Sequence, residues 1–271
     1  MEAVINYAAR NRPRMRFFAN DHSQDTVEID PHPMAIIDAR DAGTTLDREG
    51  FVWVDHVSAV ADFTDRTAVQ AVHPDEIAAL VARVTGADHV TVTGAGVLRF
   101  AERSGLAGAL DNSYPARFAH VDVSDVTAAE FTARGAPEGR RVRRAAQYNI
   151  WRAISAPPQD VPLALCDARS VERRDLLEAD AIFDHAGVPQ WQFEAWLFAH
   201  DPGHRWHWFS DLDRDQAIVF KTSDSDASAA QCVPHVAFDH PACPADAPPR
   251  ASIEMRAIAY WFEDDATEDD R

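Results

Sequence analysis

The second half of the chain is punctuated into short apolar runs, and that punctuation limits what it can fold into. Ala145–Arg152, Leu163–Cys166, Trp191–Ala199, Arg205–Phe209, Ala217–Lys221, Val233–Phe238 and Ser252–Trp261 are each rich in β-branched or aromatic residues and separated by turn formers. Strands at this spacing predict a sandwich or barrel rather than βαβ units. Upstream, Pro74–Val84 predicts a helix, with proline in its first turn, acids beside it and Gly86 past its end. A shorter helix is expected over 126–135, where Thr127 and Glu130 are placed for a cap. Arg14–Phe18, Phe51–Val54 and His89–Thr93 predict strands. Gly94-Ala95-Gly96 reads as a turn, since it lacks the further glycine of a dinucleotide fingerprint. The rest of residues 1–50, with Pro13, Pro31 and Pro33, reads as irregular.

At 271 residues the chain can bury one large β-rich core. No repeat or linker divides it, so a single domain is expected. A net charge of −18 argues against nucleic acid and anionic membranes as partners. No apolar run reaches membrane-spanning length, and residues 1–30 lack a signal-peptide pattern. Three cysteines, Cys166, Cys232 and Cys243, form no C-x-x-C pair and fit a reducing compartment, so a cytoplasmic protein is expected. The partner left is a small molecule, with a homodimer the commonest closed assembly.

One short run carries chemistry. In Ala119-His120-Val121-Asp122-Val123, read as a strand, His120 and Asp122 point to the same face. An imidazole and a carboxylate there are two ligands of a 2-His-1-carboxylate site for non-haem iron(II). The best third ligand is His235, in Val233-Pro234-His235-Val236; His240 is the alternative. Such a site leaves three positions open for co-substrate and dioxygen. Asp122 fills the position a halide would take in a halogenase, so it points to oxygenation or desaturation.

2-Oxoglutarate is a dianion whose far carboxylate needs a partner. A guanidinium offers a fork and a nearby hydroxyl a further donor. Arg250 and Ser252 share a strand parity, and Arg256, of the same parity, is the rival anchor. Other histidines compete less well. His200, His204 and His207 straddle Pro202-Gly203, which breaks any metal-binding helix. The basic cluster Arg140–Arg144 reads as a solvated loop, and no G-x-S-x-G elbow supports a hydrolase.

With these residues in order, the chain resembles the iron(II)/2-oxoglutarate-dependent oxygenases related to the cephamycin methoxylation oxygenase, the gibberellin desaturase and the novofumigatonin endoperoxidase. The matching stretches run from His120-Val121-Asp122 through Asn149-Ile150-Trp151-Arg152 and Pro162-Leu163-Ala164-Leu165-Cys166-Asp167-Ala168-Arg169-Ser170-Val171. They continue through His204-Arg205-Trp206, Asp215–Lys221 and His235–Asp239 to Pro249-Arg250-Ala251-Ser252. The resemblance implies a mainly β fold, a double-stranded β-helix (jelly-roll/cupin-like) core with flanking helices. That core would cover 114–261, after an N-terminal elaboration over 1–100 and before an acidic tail over 262–271. It implies Fe(II) on His120, Asp122 and His235, with dioxygen and 2-oxoglutarate as co-substrates and succinate as co-product. It places Asn149 and Arg152 at the co-substrate site with Arg250, Ser252 and Arg256. Val123 and His207 depart from the family's pattern and bear on pocket shape. The function implied is hydroxylation or desaturation of a small secondary metabolite. The alternatives are another oxidation on the same scaffold (cyclisation, epimerisation, endoperoxidation) and a non-catalytic metal-binding β-barrel accessory protein.

Overall fold

The structure, a computed structural model, describes residues 1–263. The acidic tail therefore lies outside the described residues from position 264, and Phe262 ends a strand instead of beginning that tail. In chain order the elements are β1 (Glu2–Ala8), β2 (Met15–Phe18), β3 (Ile29–Asp38), β4 (Phe51–Asp55), α1 (Arg66–Thr85), β5 (His89–Phe100), β6 (His120–Val121) and α2 (Asp125–Gly135). Then come β7 (Val142–Ala153), β8 (Leu163–Cys166), β9 (Leu176–His185), β10 (Val188–Phe198), β11 (Trp206–Trp208), β12 (Gln216–Asp224), β13 (His235–Ala237) and β14 (Ala251–Phe262).

Two sheets form the jelly roll. The larger runs β1-β3-β11-β8-β13-β6-β10-β9-β2 and the smaller β4-β12-β7-β14-β5. Their facing sides bury Trp151, Ile218 and Phe220 of the smaller sheet against Leu163 and Leu165 of the larger. The outer side of the smaller sheet is covered by α1, whose Ile77, Leu80 and Val81 pack on Tyr148, Ile150, Met255 and Ala257. Alternation along β7 sends Asn149 and Trp151 inward and Tyr148 and Ile150 to the helix.

The N-terminal fifty residues are not irregular. β1 pairs antiparallel with β3, and β3 joins β11 in parallel. The far side of β1 reaches back to the segment before β6, where the Ala119 N–H donates to the Asn6 carbonyl at 2.7 Å. These strands curl around a cluster of Tyr7, Ile36, Phe198 and Trp206. Prolines hid β3 from sequence reading. Pro31 and Pro33 lie where it pairs only with β1, and β11 meets it only at Ile36–Asp38, so their missing N–H groups leave no gap in the ladder.

Three further differences have local causes. α1 starts eight residues before Pro74, because Asp65 caps it by accepting from the N–H groups of Thr67 and Ala68 at 3.0 and 3.1 Å. β9 was unforeseen: it turns into β10 through Ala186 and Gly187, both at positive φ, and alanine is a weak signal for such a turn. Gly94-Ala95-Gly96 is not a turn but a bulge inside β5, which shifts register between Glu254 and Arg256 of β14. Gly96, at φ 81°, is needed there, since a Cβ would sit 2.8 Å from the Met255 sulfur.

Candidate metal centre

β13 lies between β8 and β6, and this places His235 directly opposite His120. Both are buried, and their ring centroids are 4.3 Å apart. β6 ends at Val121, and Ser124 caps α2 by accepting from the Thr127 N–H at 3.3 Å. Asp122 falls in the short junction between strand and cap. Its Oδ1 lies 3.3 Å from His120 Nε2 and 3.7 Å from His235 Nε2.

Each imidazole is oriented in the same way. His120 Nδ1 donates to the Phe118 carbonyl at 2.9 Å, and His235 Nδ1 to the Val233 carbonyl at 3.1 Å. Both carbonyls belong to the residue two positions back, so the backbone selects the tautomer whose bare Nε2 faces Asp122. Burial, reinforced by the neighbouring His120, pushes His235 down to about 3, which keeps it neutral. Burial alone would raise the Asp122 carboxyl. The Arg256 guanidinium and the two imidazoles outweigh it and hold the group well below the usual carboxylate range. Asp122 Oδ2 accepts from Asn149 Nδ2 at 2.7 Å and is ion-paired with Arg256 Nη2 at 3.0 Å, while the same Arg256 nitrogen donates to Glu254 Oε1 at 3.1 Å.

The donor set suits a ferrous ion. One atom from each of His120, Asp122 and His235 lies within 4.8 Å of the others, the one such group among the described residues. Metal–ligand bonds of about 2.1 Å at right angles would set neighbouring donors about 3 Å apart. Two bare nitrogens and one oxygen are the mixture expected for non-haem iron.

Buried donors without partners lie near the triad. Arg250 and Ser252 are each 1% exposed. Arg250 Nε and Nη2 and Ser252 Oγ have no hydrogen-bond partner. Burial first, then Arg99 and Arg117, push the Arg250 guanidinium down to about 9. Buried donors of this kind are costly unless a ligand satisfies them. Arg250 shares a narrow cavity with His120, Asp122 and His235, and its guanidinium lies 5.9 Å from the Trp151 ring centroid. A carboxylate there would fill the unused donors, so the residues present fit 2-oxoglutarate as well as iron.

The remaining candidates lie elsewhere or take other roles. Arg256 sits against Asp122, four positions beyond Ser252 along β14. Arg152 is not at the site, contrary to expectation. It donates to the carbonyls of His56 and Arg214 and to His56 Nδ1. Residues three apart on a strand face opposite ways, so Arg152 cannot join Asn149. His240 packs edge-on against Trp208 and accepts from the Ala242 N–H. His204 pairs with Asp175, and His200 stacks on His32. In the basic cluster, Arg144 bridges Asp47 and Asp224, and Arg141 pairs with Glu263.

Two cavities open from the triad. One, of about 300 Å³, is lined by Phe17, Tyr114, Phe118 and Arg99 and reaches His120 and Asp122. The other, of about 510 Å³, is lined by Val123, Phe131, Gln147 and Trp191 and reaches Asp122 and Asn149. Phe183, Phe193 and Arg256 line both. Phe183 stacks on Trp191 at 4.2 Å and on Phe193 at 5.5 Å. Sequence reading missed Phe183 because the strand carrying it was itself unrecognised, and Phe193 because nothing local sets it apart from the other aromatics of its strand.

Known proteins resemble this chain along most of its length. A family model described as "Oxidoreductase/YMDC permease-like domain" matches residues 5–260. The chain is similar to the hydroxylase/desaturase CTB9 of Cercospora beticola, 32% identical over 82% of this chain and 73% of that one. It is 29% identical to the Fe(II)/2-oxoglutarate-dependent dioxygenase nvfI of Aspergillus novofumigatus, over 85% and 84%. Among solved structures, the iron and alpha-ketoglutarate-dependent endoperoxidase NvfI superposes with a TM-score of 0.83 at 24% identity, covering 97% of this chain and 98% of that one. A variant of that enzyme matches at 0.80 and 25%, covering 97% and 99%.

Proposed function

Because the chain belongs to the iron(II)/2-oxoglutarate-dependent oxygenases, and so is an oxidoreductase using Fe(II), 2-oxoglutarate and dioxygen, we propose that His120, Asp122 and His235 hold the metal and that Arg250 with Ser252 anchors the co-substrate. The reaction is hydroxylation or desaturation of a small secondary metabolite, coupled to conversion of 2-oxoglutarate to succinate. The observation that carries the site is the approach of Asp122 Oδ1 to both bare Nε2 atoms, at 3.3 and 3.7 Å, beside a buried arginine with unused donors. Bound iron supplies the activation of dioxygen. The chain's own residues do the rest. Carbonyl-held imidazoles keep their Nε2 atoms bare, Arg250 and Ser252 fix the keto-diacid, and the aromatic walls exclude water and orient the target bond.

Anaerobic addition of Fe(II) and 2-oxoglutarate should give a visible charge-transfer band that Asp122→Ala abolishes. An unchanged spectrum in that variant removes the assignment. The name endoperoxidase on a structural neighbour supports a second reading, a non-hydroxylating oxidation, which product analysis separates from the first. No helix of the described residues is long and apolar enough to cross a membrane. We place the enzyme in the cytoplasm as one domain, either alone or as a homodimer.

A further inference from the structure

The two oxygens of Asp122 stand in different environments. Oδ1 faces both imidazole Nε2 atoms. Oδ2 is turned away, accepts from Asn149 Nδ2 at 2.7 Å and is ion-paired with Arg256 Nη2 at 3.0 Å. The two partners are a directly opposed pair on adjacent strands, since Arg256 of β14 lies across from Asn149 of β7. They belong to the smaller sheet, whereas His120 and His235 belong to the larger, so the clamp reaches across the site from sheet to sheet. Glu254 Oε1, 3.1 Å from the same Arg256 nitrogen, steadies the guanidinium.

We propose that Asn149 and Arg256 are positioning residues for the metal: together they hold Oδ2 of Asp122 so that the carboxylate can bind through Oδ1 alone. This rests on the reading that His120, Asp122 and His235 carry the ion. A carboxylate that swung round to bind through both oxygens would occupy one of the three positions left for co-substrate and dioxygen. A hydrogen bond from Asn149 and an ion pair with Arg256, both at Oδ2, oppose that swing. Asn149 and Arg256 thus act through the aspartate rather than through 2-oxoglutarate.

The test uses the full chain loaded with Mn(II) in place of iron and without 2-oxoglutarate. Mn(II) affinity is measured together with water-proton relaxation, which counts the waters on the ion. Asn149→Ala and Arg256→Gln should weaken Mn(II) binding by about 10- to 100-fold, the usual effect of losing such outer partners. They should also lower relaxation per bound ion by about a third, as one of three waters gives way to Oδ2. Arg256→Lys should restore much of both. If Asn149→Ala fails to fold, as judged by circular dichroism, Asn149→Ser carries the measurement. Wild-type affinity and relaxation in these variants would overturn the clamp while His120→Ala still abolishes Mn(II) binding. Mn(II) binding that survives His120→Ala would instead overturn the triad, and the clamp with it.

Discussion

Replacing Arg250 with methionine should move stability and ligand affinity in opposite directions. In the protein without co-substrate, the guanidinium is a buried cation with two unused nitrogens. Its fall from 12.5 to about 9 corresponds to at most ~5 kcal/mol against the charged form, at about 1.4 kcal/mol per unit. The sign follows from linkage. Below about pH 9 the arginine is charged in both folded and unfolded states, so the full penalty is present at neutral pH. It is relieved only as pH rises through that value. Methionine keeps the volume of the stem and removes the charge. Discounting for relaxation around the charge, the ligand-free protein should gain on the order of 2 kcal/mol, a rise in Tm of roughly 4 °C at this size. Binding should suffer, because truncating one partner of a buried, hydrogen-bonded charge pair costs about 2–5 kcal/mol. That is about 30- to 4,000-fold in the Kd for 2-oxoglutarate, at about 1.4 kcal/mol per decade. Thermal melts and titration calorimetry with Mn(II), which does not turn over, would measure both effects. A variant with lowered ligand-free Tm and wild-type 2-oxoglutarate affinity would refute the argument, and unaltered affinity would move the anchor elsewhere.

Other outcomes follow from single features. His56 is held down to about 4, by burial first and then by Arg152, against an ordinary 6.5. Its unfolded form therefore takes up protons first as pH falls from 6.5 towards 4, and stability is lost across that window, by about 1–2 kcal/mol after discounting for its partly exposed position. Urea midpoints measured against pH should show this slope in the wild type and a flatter one in His56→Asn. Gly96→Ala forces a side chain into positive φ beside Met255 and should lower unfolding free energy by about 1–2 kcal/mol, read by urea titration. Trp191→Ala should leave Tm nearly unchanged, since the ring is 51% exposed, yet raise the KM of an accepted substrate several-fold, because the ring lines the larger cavity. Succinate release against substrate concentration checks it.

Much of the candidate site was legible as an order of residue types: H-x-D and a distant histidine, which the structure brings together, then the proposed arginine and serine two apart. The strands carrying Asn149, Leu163 and Ser252 were legible too, because buried strands are apolar, β-branched and bounded by turn formers. The error at Arg152 was avoidable in principle, since its spacing from Asn149 already set it on the opposite face. β3 and β9 were illegible for other reasons. Prolines are tolerated in β3 only where no second neighbour pairs with it, and the turn after β9 uses an alanine where asparagine or glycine would be the usual signal.

Sequence alone determined the chemistry on offer, because strand alternation is local: it put His120 with Asp122, and Arg250 with Ser252 and Arg256. It could not choose between the two arginines, whose parity is the same. Only the tertiary structure tells the two apart, through the pairing of β14 with β7 that sets Arg256 opposite Asn149 and against Asp122, leaving Arg250 with donors to spare. It alone also brought His235 across from His120, since β13 enters between β6 and β8 although it follows β6 by more than a hundred residues. Which strand lies beside which depends on the burial of whole faces, and that is a property of the assembled sheets and not of any segment.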